Sequence, residues 1–161
     1  MQQAIFAAGC FWGVQYYFDQ VPGVVKTTVG YTGGHTENPS YEAVCTHTTG
    51  HAEALLVEFD PDKVSYDDLL QQFFRMHDPT ELNRQGPDVG DSYRTAIFYF
   101  DDEQQAAAEA AKTTAQDHFD KPIVTEIAPA TKFYPAEDYH QKYAERTGHG
   151  ICHIPYEPVA A

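Results

Sequence analysis

Cys10 lies in the run Gly9-Cys10-Phe11-Trp12-Gly13, between an apolar segment at 4–8 and an amphipathic one at about 11–18. If the second segment is a helix, the thiol sits at its positive end, where unpaired N–H groups and the macrodipole favour thiolate over thiol. One reading is therefore a low-pKa nucleophile beside two aromatic rings. The other is a buried cysteine at a strand end, with Phe11 and Trp12 as ordinary core. Glu53 is the second informative position. It falls in the alternating stretch 52–59 with Leu55, Val57 and Phe59 on its own face. A carboxyl held at the edge of an apolar face has a raised pKa and can donate a proton at neutral pH. The alternative is a strand-end glutamate facing water. Tyr41 and Tyr93 sit in loop-like surroundings and could aim hydroxyl donors at a polar oxygen. With eleven tyrosines in the chain, spacing does not single them out. Asp88, within Gly86-Pro87-Asp88-Val89-Gly90, could orient a water or Tyr93, or simply form an Asx turn.

Two more cysteines complete the set. Cys152, in Gly148-His149-Gly150-Ile151-Cys152-His153, stands on a glycine-bearing segment that is cheap to deform. It could approach another thiol closely enough for a disulfide, and so clear a sulfenic acid by condensation; otherwise it is an inert packing residue. Cys45 follows Ala43 and Val44 and reads as buried packing. Three cysteines cannot all pair within one chain, which argues against a static disulfide framework. His149, Cys152 and His153 lack the further ligands that structural zinc needs. The glycines at 30, 33 and 34 match neither nucleotide-binding spacing, so neither metal nor cofactor is expected.

The elements that must position these groups follow from periodicity and punctuation. Strands are predicted at 3–8, 24–31, 52–59, 95–100 and 123–127. Helices are predicted at 11–20, ending at Pro22-Gly23, and at 41–44 after Asn38-Pro39-Ser40. A third begins behind a Ser65/Asp68 capping box, and an alanine-rich fourth starts at Asp101 with Gln104 and reaches about residue 118. A last short helix is expected at 135–143. Residues 78–93 form a long aperiodic connection of the kind that often carries function. The expected architecture is a two-layer α/β sandwich with a mixed or antiparallel sheet, formed by one catalytic domain over 1–161 whose segment 147–161 is an irregular tail. At 161 residues and 42% hydrophobic content the chain can fold without a metal or disulfide scaffold. Its net charge of −14 argues against nucleic acid and anionic membranes as partners. No membrane-span or leader pattern is visible, so the expected location is cytoplasmic.

Taken together, these blocks closely resemble the A-type peptide methionine sulfoxide reductases. The resemblance runs through the Cys10 block, Gly30-Tyr31-Thr32-Gly33-Gly34, Asn38-Pro39-Ser40-Tyr41, Val44-Cys45 and Gly50-His51-Ala52-Glu53-Ala54. It continues through Leu82-Asn83-Arg84-Gln85-Gly86-Pro87-Asp88-Val89-Gly90, Tyr93-Arg94, Phe133-Tyr134 and Ala136-Glu137-Asp138-Tyr139-His140-Gln141. It implies that Cys10 is the nucleophile, that Phe11 and Trp12 receive the substrate methyl group, and that Glu53 protonates the sulfoxide oxygen. Tyr41 and Tyr93 would hydrogen-bond that oxygen, and Asp88 would support the polar side. Cys152 matches the first resolving cysteine. With no cysteine after it, thioredoxin would reduce the Cys10–Cys152 disulfide directly. The resemblance also implies the S epimer of methionine sulfoxide, free or in oxidised proteins, and a two-layer fold of plait-like topology; a monomer is the expected state. Two rivals stay open: a cysteine hydrolase with His51, His77 or His140 as base, and a non-catalytic module that grips methionine between Phe11 and Trp12.

Overall fold

The computed structural model describes residues 1–147. Its elements in chain order are β1 (Gln2–Ala8), α1 (Phe11–Phe18), β2 (Val24–Thr32), α2 (Tyr41–Cys45), β3 (Ala52–Phe59) and α3 (Tyr66–Arg75). There follow β4 (Arg84–Gln85), β5 (Asp88–Val89), β6 (Thr95–Tyr99), α4 (Asp102–Gln116), β7 (Glu126–Pro129), β8 (Tyr134–Pro135) and α5 (Tyr143–Thr147). Six strands form one sheet in the order β7-β6-β1-β3-β2-β8, and β4 with β5 makes a separate hairpin. All pairings in the large sheet are antiparallel except β6 with β7, so the sheet is mixed. At its centre, β1-α1-β2-β3-α3-β6 is a split βαβ plait: each crossover helix joins two parallel strands that have a third between them.

Period-two alternation sends one face of this sheet to the helices. Ala4, Phe6 and Ala8 of β1 and Leu55, Val57 and Phe59 of β3 are fully buried there, against Val14 and Phe18 of α1 and Leu69, Leu70 and Phe73 of α3. Phe6 is the pivot, stacked on Phe18 and on Phe73 with ring centroids 5.3 Å apart in each case. The opposite face is built from smaller residues, Ala7, Ala52, Ala54 and Ala96 with Ile5 and Phe98, and is covered by Ala130 and Phe133 rather than by helices. The result is the expected two-layer α/β architecture. Helix starts obey local chemistry. Ser40 accepts the Ala43 N–H, Asp101 accepts the Gln104 N–H, and Ser65 and Asp68 complete a reciprocal capping box.

Three expectations need correction. The connection 78–93 is not structureless: it holds the β4–β5 hairpin and a 3₁₀ turn at Asp91–Tyr93, and the Gln85 amide ties it down by bonding both the N–H and the C=O of Asp78. The strand expected at 123–127 runs instead from Glu126 to Pro129, because the Ile123 N–H goes to the Gln116 side chain and the Val124 N–H to the Pro79 carbonyl before the chain reaches β6. The helix expected at 135–143 is replaced by β8, a 3₁₀ turn at Asp138–His140 and α5. Here the edge of β2 wins, since Ala136 donates to the Val29 carbonyl and the Gln141 amide bonds both the N–H and the C=O of Val29. Of the segment 147–161, Thr147 closes α5 and the rest lies outside the described residues.

Replacing Ser65 with Ala removes one hydrogen bond of the α3 capping box and leaves its partner at Asp68 without reciprocity. Stability should fall by about 1 kcal/mol, seen as a lower urea midpoint at unchanged slope, with activity per folded molecule unaltered.

Candidate active site

The turn from β1 into α1 is made by Gly9, at φ +96°, which leaves Cys10 as the N-cap of α1. This delivers the thiol to the sheet end where β3 begins. There Glu53 points into the helix-facing core, 1% exposed, and its Oε1 accepts the Phe11 backbone N–H at 3.2 Å. Oε2 of the same carboxyl is buried and has no hydrogen-bond partner among the described residues. Burial raises the Glu53 pKa to about 8, the Phe11 N–H opposes the rise, and the Asp88 carboxylate adds to it. At neutral pH the group is a neutral acid.

Cys10 does not behave as the helix-end argument expects. Its edge remains partly accessible, yet protein crowds it on most sides, and burial pushes its pKa well above the ordinary thiol value. The charge of Glu53 is the next cause and that of Asp88 a smaller one, while the backbone N–H groups of Trp12 and Gly13 pull the other way and lose. Desolvation of an anion outweighs the partial charge of an eight-residue helix. In the resting protein the thiol is protonated.

Around these two groups the tertiary structure gathers the remaining described candidates. Tyr41 opens α2 and Tyr93 closes the 3₁₀ turn that follows β5. Both phenols have raised pKa values, from burial first and the Glu53 charge second, so they stay hydroxyl donors. The field of Tyr93 reaches Cys10 and Asp88, which brings the long connection to the site. Phe11 is fully buried against Tyr31, Tyr41 and His140. Trp12 is half-buried, stacked on Tyr143 at 4.0 Å, and its indole N–H donates to Nδ1 of His140 at 2.9 Å. Thus Cys10, Phe11, Trp12, Tyr41, Glu53, Asp88 and Tyr93 converge. Cys152 lies outside the described residues.

Some participants stood in the resembling blocks of the sequence without an assigned role at the site. Glu137 accepts the Tyr31 hydroxyl at 2.9 Å and the Tyr41 backbone N–H at 3.2 Å, bolting α2 to the sheet. Cys45 is not the buried packing residue expected; it is half-buried, and its thiol meets the Tyr41 hydroxyl. The three histidines considered as bases are not hydrogen-bonded to Cys10. His51 bonds the Gly34 N–H and the Thr36 carbonyl, His77 bonds the Phe73 carbonyl and the Thr95 hydroxyl, and His140 serves Trp12. Among the described residues no cluster of three His, Cys, Asp or Glu could hold a metal ion. An apolar groove between α3 and α4, with Phe74 and Ala111 in its walls, shares none of the residues that converge at Cys10.

A family profile described as "Peptide methionine sulfoxide reductase" matches residues 2–161. The chain belongs to the A-type peptide methionine sulfoxide reductases. Among its relatives, the protein from Methanosarcina acetivorans described as "Peptide methionine sulfoxide reductase MsrA" is 59% identical over 150 residues, covering 92% of this chain and 80% of that protein. The reduced form of Mxr1 from Saccharomyces cerevisiae superposes with a TM-score of 0.87 at 34% identity, over 98% of this chain and 89% of that one. Mxr1 solved in complex with Trx2 gives a TM-score of 0.63 at 27% identity, over 89% of this chain and 84% of that one. Membership makes this chain an enzyme that reduces methionine sulfoxide.

In this reductase the buried acid has a measurable consequence for stability. Its folded pKa, about 8, lies above the ordinary value of 4.5, so folding favours the protonated form. The corresponding stabilisation is complete below the unfolded pKa and is lost as pH rises through the folded one. Glu53→Gln, neutral at every pH, should gain on the parent by on the order of a few kcal/mol between about pH 5 and about pH 9. Urea melts at the two ends of that window test this; a difference independent of pH would mean that Glu53 is not a buried neutral acid.

Proposed function

We propose that this enzyme reduces the S epimer of methionine sulfoxide by attack of Cys10 on sulfur while Glu53 protonates the leaving oxygen. The observation that carries this reading is the neutral, buried Glu53 carboxyl, pinned by Oε1 to the first turn of α1 and, among the described residues, unpaired at Oε2. A sulfoxide sulfur is a poor electrophile until its oxygen is hydrogen-bonded or protonated. Glu53 passes its proton to that oxygen from Oε2, with the Tyr41 and Tyr93 hydroxyls donating to the same atom and Asp88 supporting the polar side. The Cys10 proton returns to the carboxylate as sulfur attacks. Attack joins the Cys10 and substrate sulfurs; the substrate S–O bond then breaks to release hydroxide, which takes the Cys10 sulfur and breaks the S–S bond, so that thiol and sulfoxide become sulfenic acid and thioether: the substrate sulfur gains two electrons, Cys10 loses two, and Glu53 ends as it began. Because the thiol is protonated at rest, its deprotonation is coupled to the attack rather than preceding it.

The methyl group lies against Phe11 and Trp12, where a sulfur at a ring edge adds about 0.3–1.5 kcal/mol. Thiol, oxygen donors and aromatic wall define three directions about a tetrahedral sulfur, so only one epimer satisfies all three. The Cys152 thiol then attacks the Cys10 sulfenic sulfur and expels water, leaving a disulfide that the dithiol of thioredoxin reduces. Support for that reductant comes from Mxr1, which is solved together with Trx2. A monomer working in the cytoplasm, on free or protein-bound methionine sulfoxide, fits a cycle that needs a reducing partner at every turnover.

Two measurements test the scheme. Single-turnover reduction of the resolved S epimer should slow as pH rises through about 8, because ionising Glu53 removes the acid and pushes the Cys10 thiol further up. Glu53→Gln should lose the reductive step by about a hundredfold or more and show no such inflection. Cys152→Ser should form one equivalent of methionine per chain and accumulate a dimedone-reactive sulfenic acid at Cys10. Sustained thioredoxin-driven turnover by that variant would remove Cys152 from the resolving role.

A further inference from the structure

His47 falls between the sequence blocks that end at Cys45 and begin at Gly50, directly after α2, and its backbone is out of keeping with its residue type. The N–H groups of Thr46 and His47 close the helix end by donating to the Ala43 and Val44 carbonyls, and His47 adopts φ +59°. That left-handed position just past a helix end favours glycine strongly, because any Cβ there is crowded by the backbone. A side chain persists in such a strained conformation only where contacts beyond its own loop hold it.

The contacts of the His47 ring fall on the turn that carries Tyr93. The ring occupies the space that a side chain at Gly90 would need: a Cβ there would collide with Cε1, Nδ1 and Nε2 of His47, and Gly90 itself has φ +135°. Nδ1 is hydrogen-bonded at 3.2 Å to Oγ of Ser92, a fully buried residue. The same nitrogen stands 3.6 Å from Oδ1 of Asp91, an oxygen shielded from water that has no hydrogen-bond partner among the described residues. The ring meets Tyr93 edge-on, with centroids 6.1 Å apart. Every residue from Gly90 to Tyr93 thus rests on one imidazole.

Bonds inside the turn, from the Tyr93 N–H to the Gly90 carbonyl and from the Arg94 N–H to the Asp91 carbonyl, set its shape without fixing where it sits. Side-chain links tie it to other parts of the site. The Arg94 guanidinium joins the Asp91 carbonyl to that of Gly50, just ahead of β3 and Glu53, while His47 joins the turn to the end of the helix that Tyr41 opens. We propose that His47 is a positioning residue for the reductive step: by wedging the turn against the end of α2, it holds the Tyr93 hydroxyl where that group donates to the sulfoxide oxygen. The proposal rests on the reading that Tyr93 serves that oxygen. Removing a donor to an oxygen that gains charge in the transition state slows a reaction by about 100–1,000-fold, and a misplacement of about 1 Å forfeits a large part of that.

A double-mutant cycle on the single-turnover reduction of the S epimer, with Tyr93→Phe as the second arm, tests this. His47→Gly removes the ring and suits the left-handed backbone. Its rate at saturating substrate should fall by about fivefold or more, with the half-saturating concentration changed by less than about twofold, since the hydroxyl acts on charge that develops in the transition state. Tyr93→Phe alone should be slower still. In that background His47→Gly should slow the reaction by less than about 1.5-fold, because no hydroxyl is left to misplace. Ser92→Ala breaks the Nδ1 bond from the side of the turn; it should slow the parent by about twofold or more and Tyr93→Phe not at all, and it takes the place of His47→Gly should that variant not fold. A parental rate in His47→Gly overturns the proposal. So does a loss of equal size with and without the Tyr93 hydroxyl, which would make His47 a general support of the fold. A parental rate in Tyr93→Phe alone would instead overturn the assignment of Tyr93, and the proposal with it.

Discussion

The hydrogen bond from the Phe11 N–H to Oε1 of Glu53 joins the first turn of α1 to the start of β3, and the chemistry of the site depends on it. It uses one of the N–H groups that every helix start leaves unpaired, so the carboxyl can be buried beside a helix without ionising. Because the donor is a single neutral amide, it opposes the desolvation of Glu53 only in part, and the acid stays protonated at neutral pH. Two or three such donors, or an arginine, would have held the carboxylate in its charged form. The same geometry leaves Oε2 buried and without a hydrogen-bond partner among the described residues.

Burial then explains why acid and thiol suit each other. Both charged forms are disfavoured by desolvation, and the Glu53 charge raises the Cys10 pKa further. A resting site with thiol and carboxyl both neutral is the low-energy state. In the proposed mechanism substrate supplies the missing polar atom, its oxygen, and only then is proton movement favourable. Two tyrosines are kept as hydroxyl donors by burial in the same way, and in the proposed mechanism they serve that oxygen without adding a charge. The acidic surface of the protein has little leverage here, because exposed charges are screened over about a Debye length whereas the pair is buried.

The plait places these groups by a simple rule. Cys10 follows the central strand β1, Glu53 opens its neighbour β3, and the two strands run antiparallel, so the end of one lies beside the start of the other. Tyr41, Tyr93 and Trp12 arrive on three connections that project from the same end of the sheet. The segment after β8 closes this arrangement, with Glu137 holding Tyr41, and His140 and Tyr143 holding Trp12. Tyr41 and Trp12 are thus supported by residues 96 and 128 positions away along the chain.

Local rules made much of this legible in advance. The β3 alternation offered Glu53 a place at the core face, the Ser65/Asp68 box marked α3, and the amphipathic run after Cys10 put the thiol at a helix start; each depends on a handful of neighbouring residues. The helix expected near the C-terminal end failed because β2 offered an unpaired edge, and the Cys10 thiolate failed because burial exceeded the helix-end effect. Neither competitor is visible in a window of local sequence. The roles of Glu137 and His140, and the exposure of Cys45 at the site, likewise come from contacts between distant segments. What the residues alone determined is the set of elements and the chemical alphabet of the site. What the tertiary structure decided is the protonation state of each group and the orientation of each ring, because desolvation and packing are set by everything nearby in space and by little that is nearby in sequence.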